Sequence, residues 1–482
     1  MPEFFINGQP VHAERDQSVL EAALANGFYI PYFCWHPELS VAGNCRICCV
    51  QVEGRSWVEI ACNMPVTEGL RVLTDSDPVK AYRKSILQLL TLNHPVDCGI
   101  CDKAGECKLQ DYHYAYNGAP SVSRDAKVHS TKFHALSERI VLDNERCILC
   151  SRCVRFTREI SRTNALGITQ RGDTSLVRAA EDGSFDADPY SDNVVDLCPV
   201  GALLSRSFLY KSRVWYLQPT PSVCPGCARG CTVDLWHRKS EWKLNALDPG
   251  KNVRIERVTP RENAEVNGPW ICNKGRDLAQ IFERPRALDA MVKGKPIDLV
   301  SAIAVARALI EGAKRPVALV SSWASNEELA AFKRLLPHRF EVLVKPDWLP
   351  QPGERLDDDL LIRADKNPNM AAARALFPQA DDGIHSFASD ADLFVVWGEG
   401  FDFARIPAGA NIVFLNAYLQ PENGHADVFI PISIQTERSG HYTNFEGVVS
   451  AFSACFPKPA TVIDAEALFA TMAATETEAV RA

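Results

Sequence analysis

Apolar and polar positions change their period several times along the chain, and each change marks an element. Residues 3–6 and 11–13 alternate over short runs and flank Asn7 and Gly8, a pair suited to a two-residue hairpin turn. Residues 17–26 shift to a helical spacing: Leu20 and Leu24 share a face, Asp16 stands where a cap would, and Gly27 stops the run. Residues 86–92 read as the end of a helix that presents His94, and 232–236 as a short strand. From about residue 283 apolar runs alternate with amphipathic stretches. Residues 316–322, 393–397 and 412–415 are buried-strand candidates, and 425–431 is a further short strand. Ser325, with Glu328 three residues on, has the form of a capping box at a helix start. This alternation predicts a parallel sheet. The polar run 436–447 is expected as an ordered loop over that sheet, and 464–481, rich in Ala and Glu, as a surface helix.

Composition fits this picture. The 482 residues are 46% hydrophobic and 23% charged, as in a soluble globular chain of several domains. The net charge of -8 offers nucleic acid no general attraction. No apolar stretch reaches ~18 residues, so no membrane span is expected. The first residues lack the basic-then-apolar order of a signal peptide.

Cysteine changes the picture most. Sixteen of the 17 cysteines lie between Cys34 and Cys272, and only Cys455 lies beyond, so a compositional boundary falls near residue 282. Close C-x-x-C pairs in a large chain suit metal or clusters better than disulfides. Zinc accepts similar donor sets, and the whole series of spacings separates it from iron–sulfur chemistry.

The first set is Cys34, Cys45, Cys48 and Cys62, on a β-grasp module. A long loop with one distant fourth ligand is the plant-type [2Fe-2S] arrangement, here with its first gap expanded. Ala42 and Gly43 would let backbone approach the inorganic sulfurs, and Cys49 should point away as a plain buried thiol. The second set is His94, Cys98, Cys101 and Cys107, which suits a [4Fe-4S] cluster or one zinc. Its place between two iron–sulfur-like sets favours the cluster. A neutral imidazole leaves that site one charge less negative. Leu109, Tyr112, Tyr114 and Tyr116 are expected to pack over it. The third set is Cys147, Cys150 and Cys153, completed by Cys198 before Pro199, the bacterial ferredoxin run. A two-cluster ferredoxin would have cysteine at 157, where this chain has Thr157, so one [4Fe-4S] cluster is expected. Residues 196–203 read as the start of a helix. The fourth set, Cys224, Cys227, Cys231 and Cys272, again suits [4Fe-4S]. Lys274 reads as a charge offsetting the thiolates in preference to a bridge to a second cofactor. Arg46, Arg146, Arg152 and Arg155 read as further compensation. Gly398 and Gly400 read as a loop and not as a nucleotide site. No nucleophile, base and orienting group recur together in the C-terminal half.

These motifs resemble the large iron–sulfur (75 kDa-type) subunit of bacterial NADH:quinone oxidoreductase, respiratory complex I. The resemblance rests on residues 40–48, 94–107, 147–153 with 196–202, 224–231 with 272–275, and, further on, 325–328 and 437–447. It covers essentially the whole chain and implies an α+β multidomain protein. Residues 1–78 would form the plant-type [2Fe-2S] ferredoxin domain, and 79–120 the histidine-ligated [4Fe-4S] module. Residues 121–216 would form a ferredoxin-like [4Fe-4S] domain and 217–282 a small [4Fe-4S] domain of molybdopterin-oxidoreductase type. Residues 283–482 would form a shortened α/β domain. The resemblance assigns the four sets above to one [2Fe-2S] and three [4Fe-4S] clusters, with the third on the main electron path and the fourth off it. It implies an electron relay with no substrate-converting site. Its partners would be a flavin-containing NADH-binding subunit, a thioredoxin-like [2Fe-2S] subunit, and an iron–sulfur or hydrogenase-like acceptor leading to a quinone-reducing module. Its place would be a peripheral arm on the cytoplasmic face of the inner membrane. Only 210 residues follow Cys272, fewer than in molybdopterin enzymes, and Cys455 comes too late to ligate molybdenum, so neither molybdenum nor pterin is expected. The alternative is a diaphorase-type relay of an NAD-linked nickel–iron hydrogenase or formate dehydrogenase complex. A self-contained molybdenum oxidoreductase and a zinc-stabilised scaffold are the other readings weighed.

Overall fold

The structure is a computed structural model that describes residues 2–14, 16–130, 132–181, 183–239, 249–335, 340–378 and 390–473. The chain divides into two compact units between Tyr216 and Leu217.

The first unit opens with a five-stranded sheet in the order β2-β1-β5-β3-β4. Its strands are β1 (Glu3–Ile6), β2 (Gln9–His12), β3 (Cys49–Val52), β4 (Val58–Ile60) and β5 (Arg71–Leu73). Asn7 and Gly8 take positive φ (51° and 81°), as a tight hairpin requires. Such a turn sets Gln9 opposite Ile6, so β2 starts two residues earlier than the apolar pattern suggests. Helix α1 (Val19–Ala25) is capped by Ser18, not Asp16. Ser18 Oγ accepts from the Glu21 N–H, and Glu21 Oε2 accepts from the Ser18 N–H at 2.8 Å. That reciprocal pair satisfies two otherwise orphaned donors. Val19, Leu20, Ala22 and Ala23 then share one core with Phe4, Ile6, Val50 and Val72.

Helix α2 (Asp77–Thr91) ends just before His94, and Lys127 Nζ donates to the last carbonyls, Thr91 O and Leu92 O. Helix α3 (Lys108–Tyr112) continues into a π turn, His113–Asn117. Beyond it, β6 (Phe133–Ala135), β7 (Ile140–Asp143) and β10 (Leu203–Ser205) form a sheet in the order β10-β7-β6. Helix α4 (Arg152–Glu159), the hairpin β8 (Leu166–Thr169) and β9 (Leu176–Ala179), and helix α5 (Asn193–Leu197) lie between. Residues 196–203 do not start a helix: α5 ends before Cys198, and β10 follows. Pro199 explains this, because the residue before a proline is driven to extended backbone, as Cys198 is (φ -67°, ψ 116°).

The second unit begins with an antiparallel sheet of β11 (Leu217–Val223), β12 (Thr232–Arg238) and β13 (Arg257–Pro260). Two short helices, α6 (Asn273–Arg276) and α7 (Leu278–Phe282), lead to a seven-stranded sheet in the order β15-β14-β20-β19-β18-β16-β17. Strands β16 (Pro316–Ser321), β17 (Glu341–Lys345), β18 (Leu393–Trp397), β19 (Asn411–Asn416) and β20 (Val428–Pro431) pair in parallel. The β14 (Ala290–Val292) and β15 (Lys295–Ile297) hairpin adds an antiparallel edge. Helix α8 (Leu299–Gly312) precedes β16. The Ser325–Glu328 capping box forms at the start of α9 (Asn326–Leu335). Helices α10 (Met370–Leu376) and α11 (Glu422–His425) follow, and His425 therefore ends a helix and does not open β20.

One expectation is corrected here. The run 436–447 is not only a loop: it contains β21 (Gly440–Thr443), paired with β22 (Val449–Phe452), and buries Tyr442 and Phe452 against Val223. The terminal segment forms α12 (Ala465–Ala473), and its residues beyond 473 lie outside the described ones. It is a surface helix, as expected, with Glu466, Ala467, Ala470 and Thr471 exposed. Leu468, Phe469 and Met472 share one buried face, a stripe that the surrounding Ala and Glu obscure in composition. The Phe469 ring lies 4.7 Å from Phe332 and 4.9 Å from Trp397. Phe469→Ala should destabilise this packing by about 3–5 kcal/mol. Hydrogen exchange in α9 and β18 of the full chain measures it, and a loss under about 1 kcal/mol would remove the Phe469 ring from the shared core.

Candidate iron–sulfur sites

The first set is gathered by two connections of the β-grasp sheet, α1 to β3 and the turn after β4. Cys34 follows α1, Cys45 and Cys48 precede β3, and Cys62 lies in the 3-10 turn Ala61–Asn63 after β4. Cys34, Cys48 and Cys62 are buried. The four sulfurs form two close pairs, Cys34 with Cys45 and Cys48 with Cys62. The Cys34 N–H donates to Cys45 Sγ at 3.4 Å. A hydrogen bond from Cys45 pushes the Cys34 thiol down to about 5, while its partner Cys45 is pushed up. Two pairs are what two irons require, each holding two terminal thiolates. Gly43 takes φ 63° in this loop. Cys49 is fully buried, its Sγ facing Val79 O, away from the set.

In the second set, Cys101 lies within electrostatic reach of both Cys98 and Cys107. Burial pushes the Cys107 thiol up to about 11, against N–H donation from Gln110 and Leu109 in the first turn of α3. His94 sits past the end of α2 beside Asp97 and Arg146, and burial pushes it down to about 4, so its imidazole is neutral at pH 7 and able to ligate. Leu109 and Tyr112 are buried, but Tyr114 is 75% exposed and covers nothing. Tyr112 turns to the first domain, where its hydroxyl bonds Tyr29 and accepts from the Tyr32 N–H.

The third set winds around a small cavity. Cys147, Cys150, Cys153 and Cys198 line it with Leu142, Ile148, Val177, Val200, Ala202 and Leu203. Leu149 and Ser151 take positive φ (51° and 59°), which turns the loop inward between its cysteines. Desolvation and mutual repulsion raise these thiols, Cys147 to about 12 and Cys150 to about 11. Thr157 is fully buried, and its hydroxyl donates to Val154 O and accepts from the Leu166 N–H. It serves the fold where a second-cluster ligand would stand.

The fourth set joins the β11–β12 turn to the N-cap of α6. Cys231 lies within electrostatic reach of Cys224, Cys227 and Cys272. The Cys224 N–H donates to Cys231 O at 2.8 Å. Burial pushes Cys272 up to about 11. Lys274 places its charge near Cys224 and Cys272 and pairs with Glu354 at 2.6 Å. Elsewhere in this unit a pocket lined by residues such as Arg284, Trp323, Trp348 and Tyr418 opens near the carboxyl ends of β16, β18 and β19. There a Cβ at Gly398 would overlap Asp347, and one at Gly400 would lie 2.7 Å from Asp347 O. These glycines make room for the protein's own acidic chain, so no phosphate cradle is built.

The donor sets fit iron–sulfur groups. Most of the thiols are buried, and several are raised, so deprotonating them demands a cationic core that expels their protons. Backbone donors stand ready two residues past a sulfur: Leu149 N–H to Cys147 and Gly226 N–H to Cys224, each at 3.4 Å. Among the described residues no group of three or more His, Cys, Asp or Glu is placed to hold a metal ion. The sets surround space and do not close on a point. Sequence reading missed those N–H donors, and it also missed Gly201. A Cβ there would overlap Cys101 Sγ, so the third set's Cys-Pro loop lies directly against the second set. The glycine three residues past Cys198 was the available signal. Gly201→Ala should displace Cys101 and lower bound iron by about four atoms per chain in a folded protein. Iron analysis beside circular dichroism tests this, and full iron retention would remove the close approach from the site's requirements.

Four family models match in order. They are the 2Fe-2S iron-sulfur cluster binding domain at residues 2–77 and the NADH-ubiquinone oxidoreductase-G iron-sulfur binding region at 83–119. The NADH-quinone oxidoreductase subunit 3 ferredoxin-like domain matches 137–204, and the molybdopterin oxidoreductase Fe4S4 domain 217–284. The NADPH-Fe(3+) oxidoreductase subunit alpha of Geobacter sulfurreducens is 32% identical over 70% of this chain and 39% of its own length. The mitochondrial NADH dehydrogenase [ubiquinone] iron-sulfur protein 1 of Solanum tuberosum is 35% identical over 61% of this chain and 38% of its own. A chain of an NAD+-reducing [NiFe]-hydrogenase in the H2-reduced state is 33% identical, with a TM-score of 0.40, covering 44% of this chain and 91% of that one. The chain thus spans about two fifths of the length of the curated relatives it matches. Domain order and shared motifs together make it a multidomain iron–sulfur protein that resembles the 75 kDa-type subunit of NADH-ubiquinone oxidoreductases.

Proposed function

We propose that this chain is an electron-relay subunit of an NADH-oxidising complex, with one [2Fe-2S] and three [4Fe-4S] clusters on the four sets described and no substrate-converting site of its own. The observation that carries the reading is the gathering of cysteines remote in sequence into separate buried sets. When bound, such clusters pass single electrons between a two-electron carrier and an acceptor. The chain's own residues exclude water from the sulfurs, donate N–H groups to them, and fix the distances between sets. The Pro199–Gly201 loop abuts Cys101, and Lys108 N–H donates to Pro199 O at 2.9 Å, which ties the third set to the second. Asn44 Nδ2 donates to Leu149 O at 3.1 Å, which ties the third to the first. We therefore read the third set as the middle of the first unit's path.

The donor in this reading is a flavin-containing NADH-binding subunit, accompanied by a thioredoxin-like [2Fe-2S] subunit. The acceptor is a subunit with further clusters that leads to a quinone-reducing module. Among the described residues no helix is long and apolar enough to cross a membrane, which suits a peripheral arm on the cytoplasmic face of the inner membrane. We read the modules as 1–78, 79–120, 121–216, 217–282 and 283–482, the last as an α/β domain without molybdenum or pterin.

Anaerobically purified protein should be brown and hold about 14 iron atoms, and fewer than about ten would sink the four-cluster assignment. Zinc in a colourless protein would support a scaffold instead. Gentle co-purification, assayed with NADH and with NADPH, should recover a flavoprotein and a quinone-reducing module. A nickel–iron hydrogenase or formate dehydrogenase among the partners would establish the diaphorase reading. His94→Cys adds one negative charge to the second site and should lower its potential by about 59 mV or more, a tenfold change for a one-electron couple. An unchanged potential would remove His94 from the ligands.

A further inference from the structure

Helix α4 supplies Cys153 to the third set and carries two arginines with unusual surroundings. Arg152 and Arg155 are only 5% and 4% exposed. Arg155 donates to Cys34 O in the first set and, at 3.4 Å, to Cys150 O in the third, with a further bond to Ser40 O. Arg152 repeats the pattern one step outward: it donates to Trp35 O, beside Cys34, and at 3.0 Å to Leu197 O, beside Cys198. These backbone acceptors are neutral. Among the described residues neither guanidinium has a carboxylate within ion-pair distance. Glu159, one turn beyond Arg155, is held by Ser40 and Arg158. Arg146, equally buried, is different, since it pairs with Asp97 and Asp143.

A buried cation without a nearby anion is strongly disfavoured. Cys34, Cys150 and, less strongly, the Glu159 carboxylate lie within reach of Arg155's field, so the largest anionic contribution it faces is that of the two sets. We propose that Arg152 and Arg155 are positioning residues that clamp the first and third sites together and raise the reduction potentials of the two clusters bound there. The inference rests on the relay reading above. Reduction adds one negative charge to a cluster, and a fixed cation in a dry setting stabilises that state more than water would. The planar guanidinium fork spans two carbonyls from separate loops, which a point-charge ammonium cannot do equally well. A neutral donor could staple those loops. Only a cation would shift both potentials.

The test uses the full chain, prepared anaerobically, with iron content measured and potentials followed by electron paramagnetic resonance during dithionite titration. Arg155→Gln should lower the potentials of the first and third clusters together, each by about 59 mV, a tenfold change in the reduced-to-oxidised ratio. The second and fourth should stay unchanged. Arg155→Lys should restore most of the shift. Arg152→Gln carries the same expectation and replaces Arg155→Gln if that variant does not retain iron. Unmoved potentials, a shift in only one of the two clusters, or an equal shift in the Lys and Gln variants would overturn the clamp. Wild-type protein without iron or cluster signals would overturn the relay reading, and the clamp with it.

Discussion

Gathering ionisable sulfur away from water is the constraint on which the rest of this molecule depends. Thiols crowded in apolar surroundings resist ionisation, through desolvation first and mutual repulsion second, as Cys147, Cys150 and Cys272 illustrate. A bound cationic core removes that resistance. Until it binds, the chain must hold the sulfurs near one another without letting them collapse. Backbone does this: positive-φ residues turn the loops inward, and N–H groups two residues past Cys147 and Cys224 are aimed at sulfur. Side chains fill the remaining walls, as Leu142, Val177 and Val200 do around the third set.

The same constraint sorts the arginines of the first unit. Arg146 is neutralised by Asp97 and Asp143 and still places charge near Cys101, so it serves as a structural ion pair beside the second set. The α4 arginines donate to backbone carbonyls and, for Arg155, to Ser151 Oγ, with no carboxylate among their hydrogen-bond partners. Burial is the same in both cases, and the counter-charge is what differs. A residue's role here follows from what its charge faces, which sequence adjacency to a cysteine does not reveal.

The second unit spends its polar groups differently. Lys345 is fully buried at the end of β17 and pairs with Asp347 at 2.5 Å. Asp347 in turn accepts from Ser321 Oγ and Ser322 N–H, each at 2.7 Å. Carboxyl ends of parallel strands commonly open onto ligands. In this sheet an internal carboxylate and two close-packed glycines occupy the crest of β18.

Much of this was legible from local chemistry. The strands at 316–321 and 393–397, the Ser325–Glu328 cap and the four donor sets follow from spacing and residue type, because a strand's apolar run and a cluster's ligand loop are properties of a few consecutive residues. Two further features were local and legible as well: Ser18 caps α1 through its reciprocal bonds with Glu21, three residues on, and Pro199 keeps the adjacent Cys198 out of a helix. Other features depended on distant neighbours. The run 436–447 became a hairpin because β22 was there to pair with it, and which face of α12 is buried was settled because Phe332 and Trp397 received Phe469. The amino-acid order contains the candidate ligands and the sets proposed for them. Which sets adjoin, which charge lies between them, and why Gly201 must lack a side chain were settled only when separate loops packed, since Coulomb forces and steric overlap act through space and not along the chain.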